Sequence, residues 1–280
     1  MNPMRINRPL CLTAAALAST VIWHGAHAQT TTAAPATKTD AASDDGWKFM
    51  IGAGAANRPK YPGASERKTQ FVPMISASYG RYFIGGVPGS GAPAGLGAHL
   101  YRSTNTRIGL AVGVGFSKAR KESDDERLRG LGDIDNATRA ALFASHTMLG
   151  WLTFAGSVSA DVSGKDQGVL ATFDVEGKYR VTERLALSAG PGLTWADSDY
   201  TQTFFGIDSG QSARSGLPTY TAKSGLNLLR FSVGAEYALD RQWGLAARAS
   251  FARLQGDAAD SPITASRAQN TYGIFATYRF

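Results

Sequence analysis

The sequence predicts an all-β protein: a transmembrane antiparallel up-and-down β-barrel of about twelve strands. Three observations predict it. Long segments alternate in hydrophobicity with a period of two. The final segment alternates in the same way and stops on the aromatic Phe280. An export segment opens the chain, and no later run is apolar enough for a membrane helix.

The export segment reads from its charges. Arg5 and Arg8 form a basic start with no acidic neighbour, and Leu10 to Ile22 is an apolar stretch. Ala26-His27-Ala28 then gives the small–x–small pattern that signal peptidase recognises, so cleavage is expected before Gln29 and residues 1–28 form a signal peptide. Cys11 is the one cysteine and leaves with it, which removes disulfides and thiolate metal sites from the mature chain. Residues 29–45, QTTTAAPATKTDAASDD, are polar and of low complexity, and read as a disordered periplasmic tail. Residues 46–280 form the barrel.

The formal charge is +7, and the mean hydropathy of −0.17 excludes a helical inner-membrane protein. In a cytosolic protein a basic balance would raise nucleic acid as a partner. Export removes it, and leaves outer-membrane lipid, anionic lipopolysaccharide or the anionic wall polymer.

Successive side chains of a strand point to opposite faces. Ile108, Leu110, Val112, Val114 and Phe116 alternate with Arg107, Gly109, Ala111, Gly113 and Gly115. Val169, Ala171, Phe173, Val175, Gly177, Tyr179 and Val181 alternate with Leu170, Thr172, Asp174, Glu176, Lys178 and Arg180. Such segments are near the ~9–11 residues that cross a bilayer at a tilt, longer than a soluble sandwich prefers. Strands are expected near 47–56, 69–79, 81–86, 95–102, 106–117, 137–148, 151–162, 169–181, 184–196, 228–239, 243–254 and 270–280. The even number suits a bacterial barrel with both termini in the periplasm. Short joints at 102–106, 149–150, 182–183 and 240–242 then fall on that side, and the long ones at 119–136, 197–227 and 255–269 fall outside. Trp47, Trp151 and Trp243 are placed at the periplasmic rim and Trp195 at the outer rim. At the C-terminus Tyr272, Ile274, Ala276, Tyr278 and Phe280 share one face, which resembles the terminal signal read by the barrel assembly machinery.

Catalytic chemistry finds little support. His24 and His27 lie in the signal peptide, and neither His99 nor His146 sits in a nucleophile motif. They read as lumen or interface histidines. Asp133 and Asp135, with Asp124, Asp125 and Glu126 upstream, are spaced closely enough to hold a hard cation. Arg127 and Arg129 interrupt them, so a solvated charged loop is the better reading. Asp257 and Asp260 have Gly256, Ser261 and Pro262 beside them, which suggests turn geometry. No catalytic, metal or cofactor site is expected. Arg214 lies in a long loop of the kind that folds inward or caps a barrel; it could meet a phosphate or carboxylate outside, but pairing with lumen acids such as Asp174, Glu176 or Glu236 is the favoured expectation. The lumen face mixes Asp174, Glu176, Lys178, Arg180, Arg230, Glu236 and Arg248, which fits either a narrow pore or a salt-bridged plug.

Four loop motifs occur in order: Arg58-Pro59-Lys60-Tyr61-Pro62-Gly63-Ala64, Leu131-Gly132-Asp133-Ile134-Asp135, Gln211 to Tyr220 with Arg214-Ser215-Gly216 at its centre, and Gly256 to Ile263 with Asp257 and Asp260. Together they resemble the MipA/OmpV family of outer-membrane proteins, over about Trp47 to Phe280. The resemblance implies an outer-membrane barrel. It also implies a non-enzymatic scaffold that holds a membrane-bound lytic transglycosylase together with a bifunctional penicillin-binding protein during murein synthesis. Other members look like adhesins or are linked to antibiotic response. The alternative readings are a small-solute channel of porin type and a surface adhesin or receptor.

Overall fold

A computed structural model describes residues 46–87, 90–114 and 119–280. The expected signal peptide and tail lie outside the described residues. The strands are β1 (Lys48–Pro59), β2 (Arg67–Tyr79), β3 (Tyr82–Gly85), β4 (Gly95–Arg102), β5 (Thr106–Val114) and β6 (Thr138–Met148). They continue as β7 (Leu152–Asp161), β8 (Val169–Arg180), β9 (Leu185–Ala196), β10 (Gly225–Ala238), β11 (Trp243–Leu254) and β12 (Thr271–Arg279). Each pairs antiparallel with the next, and β12 returns to β1 to close the barrel, with Met50 opposite Arg279 and Asn57 opposite Tyr272. Because the strand number is even, both ends of the chain's barrel region lie at one end of the cylinder. The tight turns share that end, called here the terminal end. The connections after β1, β3, β5, β7, β9 and β11 share the other, the loop end.

The expected strands are found, with small shifts. β1 runs on to Pro59 and β10 starts at Gly225, both beyond the expected bounds. The expected continuation of β5 through 115–117 lies outside the described residues. Trp47, Trp151 and Trp243 lie at the terminal end and Trp195 at the loop end, as their positions in the strands require.

Period-two alternation sorts the residues by face. On β2, Phe71 is 70% exposed and Ile75 65%, while Val72 between them is 1% exposed against Ala56 and Phe275. The outer face carries large apolar side chains and the inner one small or charged ones. Inward rings need room, and glycine supplies it. A Cβ on Gly54 would stand 2.3 Å from the Phe275 ring, and one on Gly97 would stand 2.1 Å from Phe83. Pro191 cannot donate to the ladder, and the β8–β9 register has no pair between Asp174–Gly192 and Gly177–Ala189.

The lumen has two unlike walls. From β8 to β11 it carries ion pairs. Arg230 holds Asp174 with two hydrogen bonds, Nε to Oδ1 at 2.9 Å and Nη2 to Oδ2 at 2.5 Å. Lys178 pairs with Glu236 at 2.6 Å, and Arg248 pairs with Glu176. The facing wall carries two apolar clusters, Ala56, Val72 and Phe275 in one and Phe83, Ala111 and Phe143 in the other. Described residues of the β3–β4 connection touch both walls. Val87 and Ala92 pack on the Phe83–Phe143 cluster, while Gly91 reaches Ser157 of β7 and Thr172 of β8 so closely that a Cβ would clash with both hydroxyls. The mixed charges of the β8–β11 wall, Arg180 apart, are therefore joined in ion pairs.

Candidate functional site

The loop end carries a folded cap. Four connections build it: 60–66, 119–137, 197–224 and 255–270. The long loops had no period of their own in the sequence, yet they contain helices α1 (Ser198–Phe205), α2 (Ser209–Ser215) and α3 (Gly256–Asp260), with single 3-10 turns at Glu122–Asp124 and Glu126–Leu128. Local chemistry starts and stops each piece. Asp197 accepts from Tyr200 N at 2.9 Å and opens α1. Asp208 and Gln211 form a reciprocal capping box on α2, which ends on Gly216 in the left-handed conformation at φ 74°.

Two apolar clusters hold the cap. Ile134, Phe204, Phe205, Ala222, Leu254, Ala258 and Ala259 form one, beside the barrel end. Tyr61, Ala64, Leu128, Leu131, Ile207 and Ile263 form the other, further out. Each of the four connections contributes to them, so no loop can leave without exposing its neighbours. Hydrogen bonds fix the register. Ser261 Oγ donates to Phe205 O at 2.6 Å, Gln211 Nε2 to Leu131 O at 2.8 Å, and Tyr220 Oη to Asp257 O at 3.0 Å.

The motif residues from the sequence meet in this cap. Tyr61 is buried, and its hydroxyl donates to Asp125 Oδ2 at 3.3 Å. Burial, with the Asp125 charge behind it, pushes the phenol up to about 12. Pro62 leads into Gly63, whose φ of 96° and close approach to Thr264 leave no place for a side chain. Gly63 N donates to Gln269 Oε1 at 3.0 Å, and its carbonyl accepts from Ala265 and Ser266, tying the first loop to the last. Asp133 Oδ1 accepts from Glu122 N at 2.8 Å, and Asp135 lies 3.9 Å from Lys165. Asp257 Oδ2 accepts from Lys223 N at 2.7 Å, and Asp260 pairs with Arg267 at 2.6 Å. These carboxylates serve loop geometry and surface pairing.

Arg214 corrects an expectation. It does not reach the lumen: it sits in the last turn of α2, and its Nε donates to Gly130 O at 3.1 Å. The lumen acids are engaged by Arg230, Arg248 and Lys178 on the strands themselves. The α2 helix turns the Arg214 stem outward, and its register relative to the strands is not visible in a loop without periodicity. Ser215 Oγ accepts from Leu217 N at 3.2 Å and Gly216 closes the helix, so both act in the turn.

Arg120 was missed. It is 1% exposed, and its Nη1 donates to Phe204 O at 3.0 Å, at the C-terminal end of α1. Its Nε has no hydrogen-bond partner among the described residues. Burial lowers the guanidinium to about 10, although Tyr61, Asp133 and Glu122 pull it back up. In the sequence Arg120 is one basic residue in a charged run. The signal that could have singled it out is its position at the first residue pair of the loop, bridged to Ile134.

The histidines sit apart from the cap. His99 lies between the rings of Phe83 and Phe143, at 5.1 and 5.8 Å, and His146 Nδ1 is 2.8 Å from Thr106 Oγ1. On β12, Tyr272, Ile274 and Tyr278 share the outer face, Tyr272 near the loop end and Tyr278 near the terminal end, where Tyr278 stacks edge-on to Phe280 at 4.9 Å and Phe280 N donates to Phe49 O at 3.1 Å. The residues singled out in the sequence therefore separate into a cap and a closing strand.

Comparison with known proteins adds the family. The family model described as "MltA-interacting protein MipA" matches residues 51–280. A protein named "Putative outer membrane protein YiaT" from Escherichia coli O157:H7 is 27% identical over 237 residues, covering 83% of this chain and 91% of that protein. A protein named "MltA-interacting protein" from Escherichia coli strain K12 is 25% identical over 239 residues, covering 83% of this chain and 90% of that one. Among solved structures, the outer membrane channel DcaP of Acinetobacter baumannii aligns with a TM-score of 0.40 at 9% identity, covering 84% of this chain and 96% of that one. With a closed twelve-stranded antiparallel barrel and a family match over nearly the whole of it, the chain belongs to the MltA-interacting protein (MipA) family of outer-membrane β-barrels.

Proposed function

We propose that this barrel is a non-catalytic scaffold of the outer membrane. Its terminal end faces the periplasm, and there it holds wall enzymes, namely a membrane-bound lytic transglycosylase and a bifunctional penicillin-binding protein. The observation that carries the reading is the similarity to a relative named for its interaction with MltA, over most of both chains. Two features of the molecule support it. The capped loop end, and a lumen whose two walls the β3–β4 connection touches, count against a solute channel. The tight turns at the terminal end leave that face flat and open to a protein partner. Residues 1–28 act as the cleaved signal peptide and 29–45 as a periplasmic tail in this reading.

Affinity capture tests the reading. The detergent-folded protein is immobilised and a membrane extract of its own host passed over it. Enrichment of a lytic transglycosylase or penicillin-binding protein above a control barrel is the expected result. No enrichment would sink the scaffold. Bilayer conductance would then examine the channel, and loop replacement the adhesin.

We further assign Tyr272, Ile274, Tyr278 and Phe280 to recognition by the barrel assembly machinery. Deleting Phe280 is expected to lower the folded, heat-modifiable form in outer membranes several-fold, while the same chain still refolds in detergent. Unchanged membrane levels would remove the assignment.

A further inference from the structure

We propose that the terminal end is a docking surface for an acidic protein segment, built from arginines around the lumen mouth that have no ion-pair partner among the described residues. The proposal rests on the scaffold reading and names the chemistry of its partner.

Four arginines occupy the last inward positions of the wall. Arg102 stands directly opposite Arg107, Arg180 opposite Ala186, and Arg279 opposite Met50. Like charges placed opposite each other cost stability, so the Arg102–Arg107 pair is not explained by the needs of the sheet. Arg81, Arg184 and Arg241 lie in the adjoining turns and are exposed. Among the described residues none of the seven makes an ion pair or a side-chain hydrogen bond. Among the described residues, the turns at this end carry two acidic side chains, and the strand that closes the barrel adds the Phe280 carboxylate. Glu183 is exposed, and the Asp240 carboxylate is taken by Gln242 N and Trp243 N at 2.7 and 2.6 Å. The loop end is different: there Lys60 pairs with Glu66, Arg267 with Asp260 and Lys165 with Asp135.

The neighbours of the arginines decide between a lipid and a protein. Tyr101, Tyr179 and Tyr278 each precede an arginine, and their side chains face the bilayer. Strand alternation then turns Arg102, Arg180 and Arg279 to the inner face, away from the headgroups that meet the aromatic belt. A guanidinium offers a planar fork of donors that carboxylates match with two bonds. A ring of them around an opening fits a segment rich in Asp and Glu that enters or lies across the mouth.

The test uses the membrane-extracted protein in phosphatidylcholine nanodiscs and a fluorescein-labelled polyglutamate peptide, read by anisotropy. Saturable binding is expected, weakened about tenfold or more by Arg102→Gln with Arg180→Gln and Arg279→Gln, and suppressed by salt. A cap variant with Arg127, Arg129 and Arg214 changed to Gln should bind as the parent does. Heat-modifiability on gels checks that each variant is folded. No binding by the parent, or equal binding by the triple variant, overturns the proposal. Loss of peptide binding when phosphatidylglycerol is added to the nanodisc also overturns it, by giving the ring to lipid. The probe contains no wall enzyme. Polyglutamate binding with failed enzyme capture therefore counts against the scaffold alone, and the reverse pattern counts against the arginine ring alone.

Discussion

Arg230→Met is expected to destabilise the barrel by about 2–3 kcal/mol, less than a fully buried pair would give because both side chains keep some exposure. Arg230 makes two bonds to Asp174 and a third, Nη1 to Thr194 Oγ1, at 2.8 Å. The side chains are 12% and 25% exposed, so the pair is largely withdrawn from solvent. Removing the cation strands the Asp174 carboxylate on the inner wall, and most of the cost lies there. The companion experiment is the double variant Arg230→Met with Asp174→Leu. It leaves no orphan charge and should return to within about 1 kcal/mol of the parent. Denaturant unfolding in lipid, followed by gel mobility, gives both numbers. A double variant as unstable as the single one would mean that the pair itself, not the stranded charge, sets the stability.

Phe205→Ala is expected to open the cap and spare the barrel. Phe205 is fully buried, and its carbonyl accepts from Ser261 while the preceding carbonyl, of Phe204, accepts from Arg120. Truncating a buried phenylalanine costs about 3–5 kcal/mol where the site cannot collapse. The inner cluster of the cap rests on Leu254 and Leu228 at the ends of two strands, while the rest of the barrel lies beyond it, so the loss should stay near the loop end. Amide exchange should speed up around Leu128–Leu131 and Ile263, and proteases should begin to cut between 197 and 224. The unfolding midpoint of the strands should hardly move. Phe71→Ala, on the outer face of β2, is the control that should leave the cap intact. A cap with unchanged exchange in Phe205→Ala would mean that the outer cluster around Ile263 suffices by itself.

By itself the sequence determined the barrel. Alternation over segments such as 169–180 and 271–279 is a local property, and it fixes both the strand and the face each residue presents, because side chains reverse at every step. The even strand number and the tight joints then place both termini and three tryptophans at one end. The four motifs were also visible as words, at loop edges and in order. The tertiary structure decided what they do. Tyr61 meets Asp125, Gln211 meets Leu131, and Ser261 meets Phe205 across long sequence separations, and no periodicity links partners in different loops. For the same reason the sequence points Arg214 at the lumen acids when a capped helix holds it in the cap, and nothing marks Arg120 within its charged run. The arginine ring shows the same limit from the other side. Each arginine is an ordinary strand-end residue in the sequence, and only barrel closure brings those of β4, β8 and β12 to one mouth.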